Sequence, residues 1–305
     1  MAPKSKSKAT DRHQQADNGI ITLAFDNVKA GWEQWFCIMS DIHWDNPKCQ
    51  RHLLKRDLEK AKALNAQIVM TGDVFCLMQG KYDPRQSKGD TLPEHNSPSY
   101  LNKILSTSIS YFEPYAKNML MVSYGNHETS VTDRCGFDMI EGLVTGLNVA
   151  NTDACVMRGN YTGYIRFNMR INKTKNQSVL WYYTHGHGGG GEVTKGVLQA
   201  GRRSLYNPDA KIVSSGHIHE QWVMHYPRYR VTNSNKTYLD SQVHIQTGTY
   251  KEEYNDGKPS YHILKGRPPK PIGCTFFKLF YDRGKVKMTV ETEFDMSSDL
   301  NSEST

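Results

Sequence analysis

No apolar run in the chain approaches the roughly 20 residues that a membrane-crossing helix needs, which argues against a helical span. No Cys-x-x-Cys pair occurs. Cys37, Cys49, Cys76, Cys135, Cys155 and Cys274 are scattered, so neither a zinc knuckle nor a disulfide framework is indicated. A reducing, cytoplasmic setting is the expectation. The first residues, MAPKSKSKATDRHQQADNG, contain no apolar stretch of the kind a secretory signal has. Asp11, Asp17 and weak amphipathicity argue against a transit peptide. No internal repeat is visible. What the chain does have is an excess of positive charge, 38 Lys and Arg against 31 Asp and Glu over 305 residues. Such a balance favours anionic ligands. Part of it sits in residues 1–18, which carry four Lys or Arg against two Asp and read as a disordered basic tail. A single domain is expected over 19–297, with 298–305 as a flexible tail. Hydrophobic residues at 37% and charged residues at 23% suit a globular protein with a substantial core.

Five short apolar runs read as buried strands. They are Trp35–Met39, Gln67–Met70, Met119–Ser123, Val179–Tyr183 and Lys211–Ser214. Between the first two, Leu54, Leu58, Ala61 and Asn65 recur at helical spacing. Between the second and third, Ser99 is placed to cap a helix whose Leu101, Ile104, Leu105, Ser108 and Phe112 share a face. Strand, helix, strand, helix, strand is a βαβ pattern. Beyond it, residues 229–250 show strand-like patches broken by Asn and Asp. Residues 275–294 read as a hairpin around Asp282-Arg283-Gly284-Lys285, with Val286, Met288 and Val290 on one face. A second sheet is therefore expected in the C-terminal third. Residues 78–98 are long, polar and aperiodic, as functional loops are.

Each apolar run is followed at once by residues that bind metals. Asp41 and His43 follow the first, Asp73 the second, and Asn126 and His127 the third. His185 and His187 follow the fourth, and His217 and His219 the fifth. The carboxyl ends of strands are where open α/β sheets form ligand sites. One Asp-x-His alone is usually a turn and one Gly-Asp alone carries almost no signal, while an isolated Gly-Asn-His-Glu or Gly-His-x-His reads equally well as functional or not. Five such groups in order, all at strand ends, point to one shared centre.

The ordered set Asp41-Ile42-His43, Gly72-Asp73, Gly125-Asn126-His127-Glu128, His185 and Gly216-His217-Ile218-His219 resembles the signature of the calcineurin-like metallophosphoesterase superfamily. The resemblance runs from about Phe36 to His219. It implies an α/β fold, an αββα sandwich of two mixed sheets flanked by helices, with a dinuclear metal site at the strand C-terminal ends. It further implies that Asp41, His43, Asp73 and His219 hold one cation and Asp73, Asn126, His185 and His217 the other. Asp73 would bridge them, and His127 would face the substrate as the catalytic residue. His187, one step further from its strand, would lie at the rim. Two cations roughly 3.5–4 Å apart neutralise phosphoryl oxygens and activate a water at neutral pH. Mixed nitrogen and oxygen donors suit Mn, Fe, Zn, Co or Ni, and manganese is favoured because it is common in this superfamily. Cys76 has no counterpart in the family pattern and reads as a small buried residue.

The Gly-Asp-x-His-Gly and Gly-Asp-x-Val-Asp-Arg-Gly signatures of the Ser/Thr protein phosphatases are absent, which disfavours a phosphoprotein substrate. The expected activity is phosphodiester hydrolysis on nucleotides or nucleic acid, with no membrane partner. Lys81, Arg85 and Lys88 in the polar loop, and Lys195 after a glycine run too irregular for a P-loop, are candidate substrate contacts. The alternatives are a phosphomonoesterase of small metabolites, a non-catalytic scaffold on the same fold, and a nucleic-acid binder with structural metals.

Overall fold

The computed structural model describes residues 12–15, 19–77, 90–254 and 261–291. Along the chain, β1 (Arg12–Gln15), β2 (Ile20–Phe25), β3 (Glu33–Met39), α1 (Arg51–Ala63) and β4 (Gln67–Thr71) come first. They are followed by α2 (Tyr100–Phe112), β5 (Met119–Ser123), α3 (Asn126–Cys135), α4 (Met139–Ala150) and β6 (Met157–Arg158). Next come β7 (Thr162–Arg170), β8 (Asn176–Thr184), α5 (Val197–Tyr206), β9 (Ile212–Ser215), β10 (Trp222–Val231) and β11 (Thr237–Gln246). The last are α6 (Tyr261–Leu264), β12 (Thr275–Asp282) and β13 (Lys285–Val290).

Two mixed sheets form. One has the order β13-β12-β3-β4-β5-β6 and the other β1-β2-β7-β8-β9-β11-β10. The alternation of a strand explains how they stack. In β3, Cys37 and Met39 point to a core shared with Leu54, Leu58 and Ala61 of α1, Ile104 and Phe112 of α2, and Leu143 of α4. Phe36 and Ile38 of the same strand point the other way, to Leu23, Phe167, Trp181 and Ile245 of the second sheet. A strand buried on both faces has no polar side, which is why these runs read as continuous apolar stretches. Helix α5 lies against the second sheet, where Arg203 Nη1 donates to Ser215 Oγ at 2.6 Å and Tyr164 Oη to Asn207 Oδ1 at 2.8 Å. The architecture is thus α/β, two mixed sheets flanked by helices. No helix of the described residues is long and apolar enough to cross a membrane.

Several expectations need correction. The C-terminal hairpin forms, with Val286, Met288 and Val290 on its half-buried face, but it does not found a second sheet. Its first strand pairs antiparallel with β3, because Phe277 stacks on Phe36 at 4.8 Å between centroids and so extends the existing core. The second sheet draws instead on residues 12–25, 162–184 and 212–246. The stretch broken by Asn and Asp is a long β10–β11 hairpin, and its Asp240 is tolerated because Arg228 Nη2 meets it at 2.7 Å and Lys211 pairs with it. Asn65 does not sit on the buried face of α1. It follows the helix at φ 50°, with its N–H bonded to Lys62 O at 3.1 Å and that of Ala66 to Ala61 O at 2.8 Å. This is a Schellman cap with Asn in the left-handed position. Ser99 is at the N-cap of α2 but makes no side-chain capping bond. Within the expected tail, Arg12–Gln15 pair antiparallel with β2, so this piece joins the sheet edge. Residues 1–11, 16–18 and 298–305 lie outside the described residues.

Candidate metal centre

The centre forms where the two layers meet at their strand ends. Asp41, His43 and Asp73 come from loops after β3 and β4, and Asn126 and His127 from the first turn of α3 after β5, all of one sheet. His185, His217 and His219 come from loops after β8 and β9 of the other. The donors therefore belong to two facing edges, where the sequence pattern alone suggested one. The loops turn sharply. Asp41, His43, Asp73, His217 and His219 all have positive φ, between 49° and 73°, a region sparsely populated by non-glycine residues. Such strain clusters at functional sites. Two glycines let the loops approach one another. A Cβ on Gly125 would lie 2.1 Å from Asp73 Oδ1, and one on Gly216 would lie 2.1 Å from Ser40 Oγ.

Glu128, the last residue of Gly-Asn-His-Glu, is fully buried and ties two loops together. It accepts the backbone N–H of Gly125 at 2.8 Å, Phe75 at 2.9 Å and Asp73 at 3.1 Å. The first of these bonds is the backward half of a capping box for α3. Burial, then the Asp73 carboxylate, push its pKa up to about 8. Asp45 does similar work one strand over, accepting Cys76 N–H at 2.5 Å and Leu77 N–H at 2.9 Å. Sequence reading quoted Glu128 in the signature without giving it a role and passed over Asp45. An acid two residues beyond a candidate ligand, Asn126 or His43, was the available signal.

The donor atoms converge in groups. Donor atoms of Asp41, His43 and His219 lie within 4.8 Å of one another, as do those of Asp73, His185 and His217. His185 Nδ1–H donates to Thr71 O at 2.9 Å, so in the neutral ring Nε2 carries the lone pair. That lone pair faces Asp73 Oδ2 at 3.2 Å and Asn126 Oδ1 at 3.1 Å. Acceptors do not crowd together unless something positive lies among them. Protonation is one answer: burial opposes it, but Asp73 and Asp41 outweigh burial and push the His185 pKa up to about 10. A cation is the other. His43 is only 2% exposed, yet both its ring nitrogens lack a hydrogen-bond partner among the described residues, while Asp41 Oδ1 faces His219 Nε2 at 3.2 Å. Burial, then the charge on His127, lower the His43 pKa well below its usual value, so a proton does not satisfy it. Carboxylate, imidazole and amide donors left open in this way fit divalent cations. His185 bonded to a backbone carbonyl is how a metal-ligating histidine is held.

His127 is placed differently. Its Nδ1–H donates to Cys76 O at 2.5 Å, and its Nε2 lies 3.8 Å from Asp73 Oδ2. Its ring meets that of His43 edge to face, 5.0 Å between centroids. It lines a cleft of about 690 Å³ whose floor includes His43, Asp73, Asn126, His217 and His219, within the size range of small-molecule sites. His187 is exposed and stands outside the donor groups. Lys195 does not line the cleft; its Nζ points to Glu220 Oε2 at 3.9 Å. Lys81, Arg85 and Lys88 lie outside the described residues. The cations that do line the cleft are Lys251, Arg267 and Lys270, with His262 beside them. Lys270 Nζ meets Glu220 Oε1 at 2.5 Å, and Lys251 Nζ meets Glu253 Oε1 at 3.0 Å. Sequence reading missed all four, and no spacing marks them, since they come from an irregular segment before β12.

No family model matches the chain, and no curated protein matches it. Solved structures do. A conserved uncharacterized protein of Streptococcus pneumoniae TIGR4, described as a predicted phosphoesterase, is 12% identical. The match covers 86% of this chain and 91% of that one, at a TM-score of 0.30. GAP50, described as the anchor in the inner membrane complex of Plasmodium, is 13% identical over 85% of this chain and 84% of its own, at 0.44. Vps29 of Entamoeba histolytica, solved with Zn²⁺, is 12% identical over 85% of this chain and 98% of its own, at 0.32.

Proposed function

We propose that the chain is a dinuclear metal-dependent phosphoester hydrolase of the calcineurin-like metallophosphoesterase type, acting on a phosphodiester of a nucleotide or nucleic acid. The observation that carries this reading is the convergence of lone pairs in two groups at the cleft floor, with the buried nitrogens of His43 left open. Asp41, His43 and His219 would hold one cation, and Asn126, His185 and His217 the other, with Asp73 between them. When bound, two such ions neutralise phosphoryl oxygens and supply a nucleophilic water at neutral pH, and manganese suits the donor set. The protein's own contribution is orientation. The Thr71 carbonyl fixes the His185 ring, and the Cys76 carbonyl aims His127 Nε2 into the cleft. A proton held at that Nε2 is placed to go to the leaving oxygen.

Lys251, Arg267 and Lys270 line the same cleft as the candidate donors and support an anionic substrate, although Lys251 and Lys270 are paired with Glu253 and Glu220. The test is metal analysis combined with hydrolysis of a chromogenic phosphodiester and the matching monoester in Mn²⁺. Two ions per chain and diester turnover are expected. Monoester turnover far above every diester would replace the substrate class with small phosphomonoesters. Full metal content with no turnover of either would replace the enzyme with a scaffold.

A further inference from the structure

The chain contains a third group of donors that the hydrolase reading does not use as such. His43, Cys76 and His127 each place one donor atom within 4.8 Å of the others. Cys76 is 1% exposed on the loop after β4. Its backbone N–H is fixed by Asp45, and its Sγ receives Asn46 Nδ2–H at 3.3 Å, so a donor already points at the sulfur. His127 donates its Nδ1–H to the Cys76 carbonyl, which leaves Nε2 as the lone-pair nitrogen of the neutral ring. An imidazole tied to a carbonyl in this way is arranged as metal ligands are. His43 is more than nine-tenths buried and both its nitrogens lack a hydrogen-bond partner among the described residues, so it is open to this group as well as to the one with Asp41 and His219.

We propose that His43, Cys76 and His127 form an inhibitory site for a soft divalent cation such as Zn²⁺ or Cd²⁺. Thiolate ligands select soft ions over Mn²⁺, and imidazoles accept both. Binding is an exchange without redox chemistry: the Cys76 S–H bond breaks, a sulfur–metal bond forms, and the proton leaves to solvent. His43 also belongs to the group with Asp41 and His219. An ion that takes His43 toward Cys76 withdraws a ligand from that group. The same ion occupies the His127 ring, whose Nε2 would carry the proton to the leaving oxygen. The site thus sets two uses of the same two histidines in competition. The inhibition rests on the hydrolase reading; the binding does not.

The experiment uses the full chain in two arms. In the first, Co²⁺ is titrated into wild type and into Cys76→Ser, and the near-ultraviolet sulfur-to-cobalt charge-transfer band is recorded. A band in wild type that is lost in the variant is expected. A band absent from wild type, or one of undiminished intensity in Cys76→Ser, overturns the site. The exposed Cys135 and Cys155 are present in both proteins, so adventitious binding by them shows itself as persistence. In the second arm, diester hydrolysis by Mn²⁺-loaded protein is followed as Zn²⁺ or Cd²⁺ is added. Wild type should be inhibited, while Cys76→Ser, with the inhibition of each protein read as a fraction of its own Mn²⁺ activity, needs roughly 10-fold or more inhibitor, since loss of a group that orients a ligand already weakens metal sites by that much. Equal inhibition of both proteins overturns the inhibitory role. A wild type with no Mn²⁺ activity overturns the hydrolase reading and the inhibition with it, and the band still decides the site. Cys76→Ala, which adds no buried hydroxyl, is run alongside and must give the same result.

Discussion

Asp73 faces two candidate histidines and carries the proposed bridge. Its Oδ2 faces His185 Nε2 at 3.2 Å and His127 Nε2 at 3.8 Å, and its Oδ1 accepts His127 N–H at 3.0 Å. Burial would raise its pKa, but the ring charges of His185, His127 and His43 hold it well below the usual carboxylate range. Asp73→Asn should therefore lose at least one bound metal ion and nearly all turnover, as read by elemental analysis and steady-state assay. Full metal content with full activity would remove the bridge from the account. His127→Ala should instead keep both ions and slow hydrolysis by about 10²–10⁴-fold, the usual worth of a positioned acid or base. The deficit should shrink for leaving groups that need no proton; an equal loss with good and poor leaving groups rules out the acid role. These side chains were legible in the sequence because each follows a buried strand at once, so the fold leaves it little freedom of position. Lys251, His262, Arg267 and Lys270 were not, because no strand end or regular spacing in the sequence marks them as lining the cleft.

Loops and strands set the next tier of expectations. A methyl group on Gly125 would run into Asp73 Oδ1, and the loop cannot shift freely because Glu128 holds Gly125, Phe75 and Asp73 at once. Gly125→Ala should destabilise the protein by roughly 1–3 kcal/mol, the usual effect of overpacking, and weaken metal binding as well. A calorimetric midpoint and metal content unchanged from wild type would contradict this. Strand β11 carries a second test far from the centre. His244 is buried beneath Tyr226, and burial, then the charges of Arg203 and Arg228, lower its pKa to about 4. In the unfolded chain it titrates near 6.5. Between those values the unfolded state binds the extra proton, so the contribution is complete above about pH 6.5 and declines as pH falls toward 4. Urea midpoints at pH 7.5 and pH 5 should differ less in His244→Gln than in wild type; an identical difference in both would show that this histidine is not the source. The strands that carry these residues were readable where they are buried on both faces, as in β3 and β5. The partners of β2, β7 and β10 were not, since their half-polar alternation fixes a face but not a neighbour.

At the level of the whole molecule, candidate donors drawn from both sheets would link metal binding to the joining of the layers. Added Mn²⁺ should raise the thermal midpoint and chelation should lower it. The stabilisation is about 2.7 kcal/mol when free metal exceeds Kd by 100-fold. A midpoint indifferent to metal would mean that the donors do not grip an ion across the layers. The order of the strands has a further consequence for how the chain is made. The edge of β3 opposite β4 is covered only by β12, which lies near the far end of the sequence. A ribosome finishes every candidate ligand loop, down to His219, before it begins that cover. Through that interval Trp35, Phe36, Cys37 and Ile38 present an open backbone edge of the kind other chains add to. The vulnerable moment in this protein's life is therefore its synthesis, and it ends when Phe277 reaches Phe36.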